Sequence, residues 1–448
     1  MLFSISPIDG RYATKTTELR EYFSEFALIR YRVKIEIDYL LALSDLNLAG
    51  FPVLSMEEKT TISSISSDFT VKDALRIKEI EKTTNHDVKA VEYFIREELK
   101  DKIPDSLLPF VHFALTSQDI NNTAVPLSLK ESIEISILPG LNELINQLGS
   151  KSEEWYETPM LARTHGQAAS PTGVGKELSV FILRLKSQIE LMNTIPHSAK
   201  FGGATGNFNA HMVAYPNIDW VRFADEFVNS LGLNRTTITT QIEPYDNLAA
   251  QCHAWARINT ILISLCRDIW TYISMDYFKQ SIKKGEIGSS AMPHKVNPID
   301  FENAEGNLGI ANALLIHLAE KLPVSRLQRD LTDSTVLRNL GVPFAHIIIA
   351  ISSIEKGLSK LIINKEKIAN DLTQNWAVVT EAIQTILRRE GIEDAYEQLK
   401  ELTRGTEGIN EKSINIFVDQ LLVSDSIKQE LKAVTPLNYV GNALKGKK

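Results

Sequence analysis

The chain has 448 residues, of which 44% are hydrophobic and 23% are charged, as expected for a globular protein. This length exceeds that of one ordinary domain and predicts two or three. The net charge of −8 at pH 7 argues against a general nucleic-acid binder and against a protein that binds anionic membranes. A local cationic pocket for a small anion stays compatible with this charge.

The N-terminus and the cysteines indicate a cytoplasmic protein. No basic stretch precedes an apolar run at the N-terminus, and no apolar run reaches the roughly 18 to 20 residues that a membrane helix needs. The only two cysteines, Cys252 and Cys266, lie in one helical segment, where about 21 Å would separate them. They cannot form a disulfide at that distance, so we expect buried thiols in a reducing compartment.

Hydrophobic periodicity predicts helices along most of the chain. The N-terminal part shows it from about Leu19 to Leu46 and from about Ser55 to Glu98, and prolines at 104 and 109 mark a boundary. Few strand signals follow. We therefore predict three helical domains: an N-terminal domain over residues 1–111, a central long-helix bundle over 112–364, and a C-terminal domain over 365–448.

The clearest predicted helix runs from Tyr245 to Lys284, without an internal glycine or proline. Forty residues of helix would be about 60 Å long, which is too long to be buried by one compact domain. Such a helix favours a bundle that is shared between subunits. Further helices are predicted at about 126–154, 172–194, 300–320 and 344–362.

The segment from Gly285 to Pro298, GEIGSSAMPHKVNP, is predicted to be a loop because glycines and prolines break regular structure there. Hydroxyls at Ser289 and Ser290 precede Lys295 by a few residues, so the loop could supply a base and a charge that stabilises an anion. On composition alone, an ordinary surface loop is an equally good interpretation.

This segment resembles the signature loop of the fumarase/aspartase superfamily, whose members eliminate fumarate from a substituted succinate. Its His-Lys-Val version is most similar to the branch that acts on succinylated purine nucleotides. The resemblance implies an all-α fold of three helical domains, with a long central bundle shared across a homotetramer that has composite active sites. It implies a carbon–nitrogen lyase of purine biosynthesis with a small nucleotide substrate.

Other stretches carry the same resemblance. The sequence RTHGQ contains His165 and is predicted to lie near a helix end; TTNHDVKAVE contains Asn85, His86 and Asp87. A helix N-terminus there would suit an anion, and Asp87 could at the same time be a plain N-cap. The remaining matches to substrate-contact motifs are Arg11, Tyr12, Thr116, Ser117, Gln241, Arg329, Ser334 and Arg338. Taken without the resemblance, these residues are ordinary caps, turns or a salt-bridged helix face.

The resemblance assigns Ser289 as the general base and His165 as the general acid of an anti elimination. Gln241 and Asn297 are expected to orient a succinyl carboxylate, with Lys295 stabilising charge beside the base. The phosphate is expected to be held by a set of His and Arg side chains and one Ser: His86, Arg329, Ser334 and Arg338, with Arg11 and Tyr12 beside them.

We expect neither a metal nor another cofactor. No His, Cys or carboxylate cluster has zinc-ligand spacing, and no phosphate-binding glycine fingerprint is present. The glycine-rich segment at 202–207 is interpreted as a turn near the site. The alternatives are another fumarate-releasing lyase of the superfamily, such as argininosuccinate lyase or fumarase, and a catalytically silent protein on the same helical scaffold. Retention of both Ser289 and His165 argues against the latter.

Overall fold

Helices dominate the computed structural model, which describes residues 2–281, 292, 295–403 and 408–444, so the predicted all-α class is confirmed. The N-terminal helices are α1 Arg20–Phe23, α2 Glu25–Ser44, α3 Met56–Ser67, α4 Val71–Thr84 and α5 Asp87–Leu99. Ser24 separates the first two because its hydroxyl accepts a bond from the N–H of Ala27 and caps α2. A short 3-10 helix follows at Asp105–Phe110.

Helix α6 spans Ser117–Ser132 and continues through a π-helical turn, Ile133–Ile137, into α7, Leu138–Glu154. The predicted start at residue 126 is therefore wrong, because the proline there lies inside α6. A proline lacks the N–H that would bond the carbonyl four residues earlier. That carbonyl, of Asn122, instead accepts a bond from the N–H of Lys200 at 3.3 Å, which compensates the break.

Strands β1 (Pro159–Thr164) and β2 (Gln167–Gly173) form an antiparallel hairpin in which Thr164 pairs with Gln167. The prediction that His165 lies near a helix end is therefore wrong. His165 and Gly166 form the two-residue turn, with φ angles of +52° and +76°. Two successive left-handed residues match the twist of a tight hairpin, and a glycine adopts this conformation without steric cost, which explains its presence at position 166.

The middle of the chain contains the longest described helix. Its elements are α8 Val174–Asn193, β3 Ser198–Ala199, α9 Asn209–Ala214, α10 Trp220–Ser230, β4 Asn234–Arg235 and α11 Asp246–Ser274. Strands β3 and β4 pair in parallel. The forty-residue helix predicted from Tyr245 is shorter, at 29 residues. It ends because Asp276 adopts a left-handed φ of +60° and the N–H of Tyr277 bonds back to the carbonyl of Tyr272 at 2.9 Å.

Strand β5 (Phe278–Gln280) follows and pairs antiparallel with β6 (Leu361–Ile363). Between them lie α12 Ile299–Lys321, α13 Thr332–Leu337 and α14 Gly341–Lys360. The C-terminal helices are α15 Lys365–Thr373, α16 Thr380–Arg389, α17 Ala395–Thr403, α18 Glu411–Gln420 and α19 Asp425–Ala433. Cys252 and Cys266 are buried and unbridged as predicted, and burial raises the pKa of each thiol to about 12.

The chain divides into two compact units. The first unit comprises Met1–Asn142, Gln188–Thr260 and Gly306–Ser352, and the second comprises Glu143–Ser187, Ile261–Glu305 and Ser353–Lys448. The core of the first unit is built mainly by α2, α5, α6 and α10. The second unit has an apolar cluster among the C-terminal helices. The three-domain division at residues 111 and 364 stays a prediction.

The segment Thr332–Lys360 is long and apolar enough to cross a membrane, judged by length and composition alone. In its most apolar 18-residue window, 67% of the residues are buried inside the protein. A buried core helix of a globular protein meets the same criteria of length and hydropathy, so this segment is weak evidence for a membrane span.

Candidate active site

The junction between α4 and α5 carries three of the predicted site residues. Asn85 ends α4 in the left-handed conformation, and His86 is the N-cap of α5. The ring Nδ1 of His86 accepts a bond from the N–H of Lys89 at 3.0 Å, so Nε2 is left as the donor on an exposed ring. The interpretation of Asp87 as a plain N-cap is wrong, because His86 takes that role while Asp87 Oδ1 accepts a bond from the N–H of Val88 at 2.9 Å.

Asp87 lies between two arginines. Its Oδ2 accepts bonds from Arg32 at 2.7 Å and from Arg338 at 3.3 Å. Burial alone would raise the pKa of Asp87, but the Arg32 guanidinium, the N–H of Val88 and Arg338 outweigh it and hold the pKa below its ordinary value. Asp87 is therefore an anion that orients the exposed guanidinium of Arg338.

Arg32 was missed by sequence reasoning, since nothing local distinguishes it from a surface arginine of α2. Its side chain is only 4% exposed, and its Nε donates to Asn121 Oδ1 at 2.8 Å while Nη2 reaches Asp87. A buried guanidinium with two fixed acceptors is a rigid support.

A second group of contacts joins three predicted residues. Arg329 donates from Nη2 to Ser334 Oγ at 3.1 Å and from Nη1 to Gln241 Oε1 at 3.5 Å. Arg338 in turn donates to the carbonyl of Ser334 at 3.1 Å. The first unit therefore brings Asp87, Arg338, Ser334, Arg329 and Gln241 into one continuous chain of contacts.

A cavity of about 160 Å³ adjoins this chain of contacts. Its lining includes Ser334, Arg338, Arg32, Gln118 and Asn121. Arg32 and Arg338 share the single carboxylate of Asp87, and Glu25 also lines the cavity. The exposed guanidinium of Arg338 can donate from the wall of this cavity to an anion with several oxygen atoms.

Thr116 and Ser117 lie at the start of α6, where free N–H groups and the helix dipole favour an anion. Both residues are half-buried. The N–H of Thr116 donates to Asp119 Oδ2 at 2.8 Å, so the position of this helix start depends on Asp119.

Asp119 and Lys200 form a completely buried ion pair at 2.7 Å, with both side chains 0% exposed. Asp119 also accepts bonds from the N–H groups of Gly202 at 2.8 Å and Gly203 at 3.1 Å. This carboxylate thus ties the glycine-rich segment, which forms turns at 202–207, to the start of α6, whereas the nearness of this segment to the active site stays a prediction. Asp119 could have been noticed as the third helical residue after the Thr116 cap, whereas Lys200 gives no sequence signal.

A hydrogen-bonded relay holds the Gln241 segment against α6 and α13. Asn122 Nδ2 donates to the hydroxyl of Tyr245 at 2.7 Å, which donates to Asp333 Oδ2 at 3.0 Å. Asn122 Oδ1 also accepts the N–H of Glu243 at 3.0 Å. Asp333 Oδ1 lies 3.6 Å from Arg329 Nε, so the relay ends at a predicted substrate-contact arginine.

His165 belongs to the second unit and is exposed at the tip of the β1–β2 hairpin. An exposed imidazole on a rigid turn can donate to or accept from a ligand that approaches the tip. Nothing in the sequence of this segment predicted a strand pair, because it contains few β-branched residues.

The end of the signature segment is anchored in the second unit. Gln280 Nε2 of β5 donates to the carbonyl of Val296 at 3.2 Å, and the N–H of Lys295 donates to the carbonyl of Met292 at 3.0 Å. Lys295 is exposed and Asn297 is half-buried. The predicted base Ser289 lies outside the described residues, and its role stays a prediction.

Arg11 and Tyr12 lie in the turns that precede α1. The N–H of Tyr12 donates to the carbonyl of Pro7 at 2.8 Å, and the guanidinium of Arg11 lies 5.9 Å from the Tyr12 ring centre. Arg11 is exposed. Across residues 2–281, 292, 295–403 and 408–444, no group of three or more His, Cys, Asp or Glu side chains is placed to hold a metal ion.

The fold is similar to that of solved enzyme structures. The chain superposes on a fumarate lyase from Mesorhizobium sp. BNC1 with a TM-score of 0.76 at 17% identity, covering 96% of both chains. A 3-carboxy-cis,cis-muconate lactonizing enzyme from Pseudomonas putida superposes with a TM-score of 0.74 at 18% identity, covering 96% of this chain and 94% of the other. At these identities the similarity shows the fold alone.

Sequence comparison then gives the class. A family model described as a lyase matches residues 10–311, and one described as the adenylosuccinate lyase C-terminal region matches residues 325–440. The fold and these matches define a carbon–nitrogen lyase of the fumarase/aspartase superfamily, so the predicted enzyme class is confirmed.

Relatives that match over nearly the whole chain identify the family within this class of lyases. An adenylosuccinate lyase from Dictyostelium discoideum is 58% identical over 450 residues, covering 98% of this chain and 97% of that protein. One from Escherichia coli K12 is 48% identical over 446 residues, covering 99% of this chain and 97% of the other. The chain belongs to the adenylosuccinate lyase family.

Proposed function

We propose that this enzyme cleaves succinyl-AMP to AMP and fumarate, and SAICAR to AICAR and fumarate, in purine nucleotide biosynthesis. The observation that carries the proposal is the chain of contacts in the first unit that presents Arg329 and Arg338, in a sequence that matches proteins named adenylosuccinate lyase over 98–99% of its length.

The reaction requires two proton transfers. A base removes a proton from the methylene carbon of the succinyl group, the carbon–nitrogen bond breaks, and an acid protonates the departing nitrogen. We assign the base to Ser289 and the acid to His165. Each proton transfer by a positioned side chain typically contributes a factor of about 10² to 10⁴ in rate.

The intermediate carries extra negative charge on the carboxylate beside the carbanion. Lys295 and the N–H groups at the start of α6 are suited to stabilise it, and each such donor is typically worth about 3 to 4 kcal/mol. Gln241 and Asn297 orient this carboxylate, with Thr116 and Ser117 beside it.

The phosphate end of the nucleotide is assigned to Arg329, Ser334 and Arg338. His86 is oriented for this because its Nδ1 is occupied by the cap of α5, so its Nε2–H faces outward as a donor. Asp87 holds Arg338 in place. Arg11 and Tyr12 are assigned to the same end of the substrate.

A substrate panel tests the proposal. Purified enzyme is mixed with succinyl-AMP, SAICAR, argininosuccinate or malate, and fumarate is followed by its ultraviolet absorbance. We expect turnover with the first two only. Turnover of argininosuccinate or malate without turnover of succinyl-AMP would overturn the substrate assignment.

We also propose a cytoplasmic homotetramer in which different copies complete each active site. The support is that the site motifs lie on segments far apart in the chain, from Arg11 to Arg338, and that the family resemblance implies composite sites. Mixing the impaired His165→Ala and Arg338→Gln subunits under exchange conditions should then raise activity above that of either variant alone. Full activity of an isolated monomer at high dilution would contradict the composite site.

A further inference from the structure

We propose that the C-terminal helices, α15 to α19, position His165 by clamping both strands of the hairpin that carries it. This inference rests on the proposed function, because it treats His165 as the group that protonates the leaving nitrogen. All of the residues involved belong to the second unit.

The first contact is apolar. Leu161 of β1 is 2% exposed and belongs to a buried cluster whose other members lie between Leu372 and Leu431. This side chain is therefore inserted in the core of the C-terminal helices. A buried leucine of this kind holds the strand on the core, because pulling it out would expose its apolar side chain and leave a cavity.

The second contact is an ion pair on the same strand, two residues before His165. Arg163 Nη2 lies 2.7 Å from Asp371 Oδ2 of α15, and the hydroxyl of Tyr277 also donates to this carboxylate. Burial would lower the pKa of Arg163, but the bond and charge of Asp371 outweigh it and raise the pKa. The pair therefore holds the guanidinium firmly on α15.

The third contact lies on the other strand. Ser170 of β2 donates to Glu381 Oε2 of α16, and the hydroxyl of Tyr439 donates to the same oxygen at 2.9 Å. At the end of β2, a Cβ on Gly173 would lie 2.9 Å from the carbonyl oxygen of Ala443. The backbone after α19 therefore lies so close to Gly173 that any larger residue there would clash with it.

These contacts hold the base of the hairpin, while its outer part, residues 163–168, is exposed. His165 and Gly166 extend beyond the last clamped residue of each strand, while β1 and β2 rest on α15, α16 and the chain end. A rigid hairpin fixes the acid without any contact to the imidazole itself. Arg163, Ser170, Asp371 and Glu381 are thus positioning residues, and a displacement of about 1 Å at the reacting centre can cost about 10²-fold in rate.

The test uses one variant for each strand and a matched control. Asp371→Asn removes the charge that holds Arg163, and Ser170→Ala removes the bond to Glu381. The control is Arg389→Gln, which breaks an ion pair with the same shortest distance, 2.7 Å to Glu430, between two of the C-terminal helices, α16 and α19.

We expect kcat for succinyl-AMP to fall about 10- to 100-fold in Asp371→Asn, and by a smaller factor in Ser170→Ala, with KM within twofold of wild type. Amides of residues 159–173 should exchange hydrogen faster in both variants. Arg389→Gln should match wild type in both measurements. Arg163→Gln combined with Asp371→Asn should be no slower than Asp371→Asn alone, since both remove the same contact.

The inference is overturned if kcat stays within twofold of wild type in both variants, or if Arg389→Gln loses as much activity as they do. A second outcome would also overturn it. If Asp371→Asn lowers kcat by the same factor in the His165→Ala background as in wild type, the clamp acts through a group other than His165. If Asp371→Asn does not fold, Ser170→Ala decides alone. Wild-type inactivity on succinyl-AMP would instead refute the proposed function, and hydrogen exchange would still report the clamp.

Discussion

Replacing Lys200 with methionine tests how strongly the first unit depends on its buried ion pair. Methionine keeps most of the apolar stem but removes the ammonium that lies 2.7 Å from Asp119. Both side chains are 0% exposed, so no water can replace the lost partner without a rearrangement of the core. Burial lowers the pKa of Lys200, and Asp119 counteracts part of that effect.

Removing one partner of a buried pair typically costs about 3 to 5 kcal/mol, because the other charge is left uncompensated. Here Asp119 would keep its bonds from the N–H groups of Thr116, Gly202 and Gly203, at 2.8 to 3.1 Å. We therefore expect a loss near the lower end, about 3 kcal/mol. The exposed pair of Lys102 and Glu98 provides the control, and Lys102→Met should cost less than about 0.5 kcal/mol.

The assay is chemical denaturation at one fixed protein concentration, because the stability of an oligomer depends on concentration. The double variant Lys200→Met with Asp119→Asn removes both charges and should be more stable than the sum of the single losses predicts, by about 1 to 3 kcal/mol. A Lys200→Met variant no less stable than Lys102→Met would refute the reasoning. Additive single losses would refute the coupling.

Three further predictions concern other parts of the first unit. Arg32→Met should raise KM for succinyl-AMP about tenfold with a smaller change in kcat, because a charge-assisted hydrogen bond that orients the phosphate end is lost; an unchanged KM in steady-state assays would contradict this. The pKa of His112 would fall on burial, but Glu36 raises it above the ordinary value of about 6.5, so the stability from this pair is complete below that pH and is lost as the pH rises through the folded pKa. Unfolding free energies measured between pH 6 and 9 should therefore fall more steeply in wild type than in His112→Gln, and parallel curves would argue against it. Gly341→Ala should destabilise by about 1 to 3 kcal/mol because its Cβ would lie 2.3 Å from an α1 side chain, whereas Gly306→Ala, which meets nothing within 4 Å, should raise the melting temperature; equal shifts would contradict the packing argument.

Helices were predictable where the apolar period alone decides the structure. The helices predicted at 172–194, 300–320 and 344–362 end within a few residues of α8, α12 and α14. The start of α6 was misplaced because a proline usually marks the first helical turn, whereas here a distant N–H satisfies the carbonyl that the proline leaves free. The end of α11 was misplaced because an aspartate, in place of a glycine, adopts the left-handed cap.

The site was predictable only where a motif carries it. His165 was identified by its motif, but its place on a hairpin was not, since the left-handed turn depends on two residues and the strands are held by contacts made more than 200 positions later in the chain. Lys200 and Asp119 are separated by 81 positions and share no local pattern. Long-range pairing of this kind is decided by packing, which one sequence does not display.

The most direct test of the account is the kcat of purified enzyme on succinyl-AMP, compared with that of His165→Ala. We expect wild type to release AMP and fumarate in equal amounts. The variant should lose about 10² to 10⁴ in kcat while binding substrate with a similar affinity. A variant that turns over at the wild-type rate would contradict the assignment of the acid, and a wild-type enzyme that releases no fumarate would contradict the proposed reaction itself.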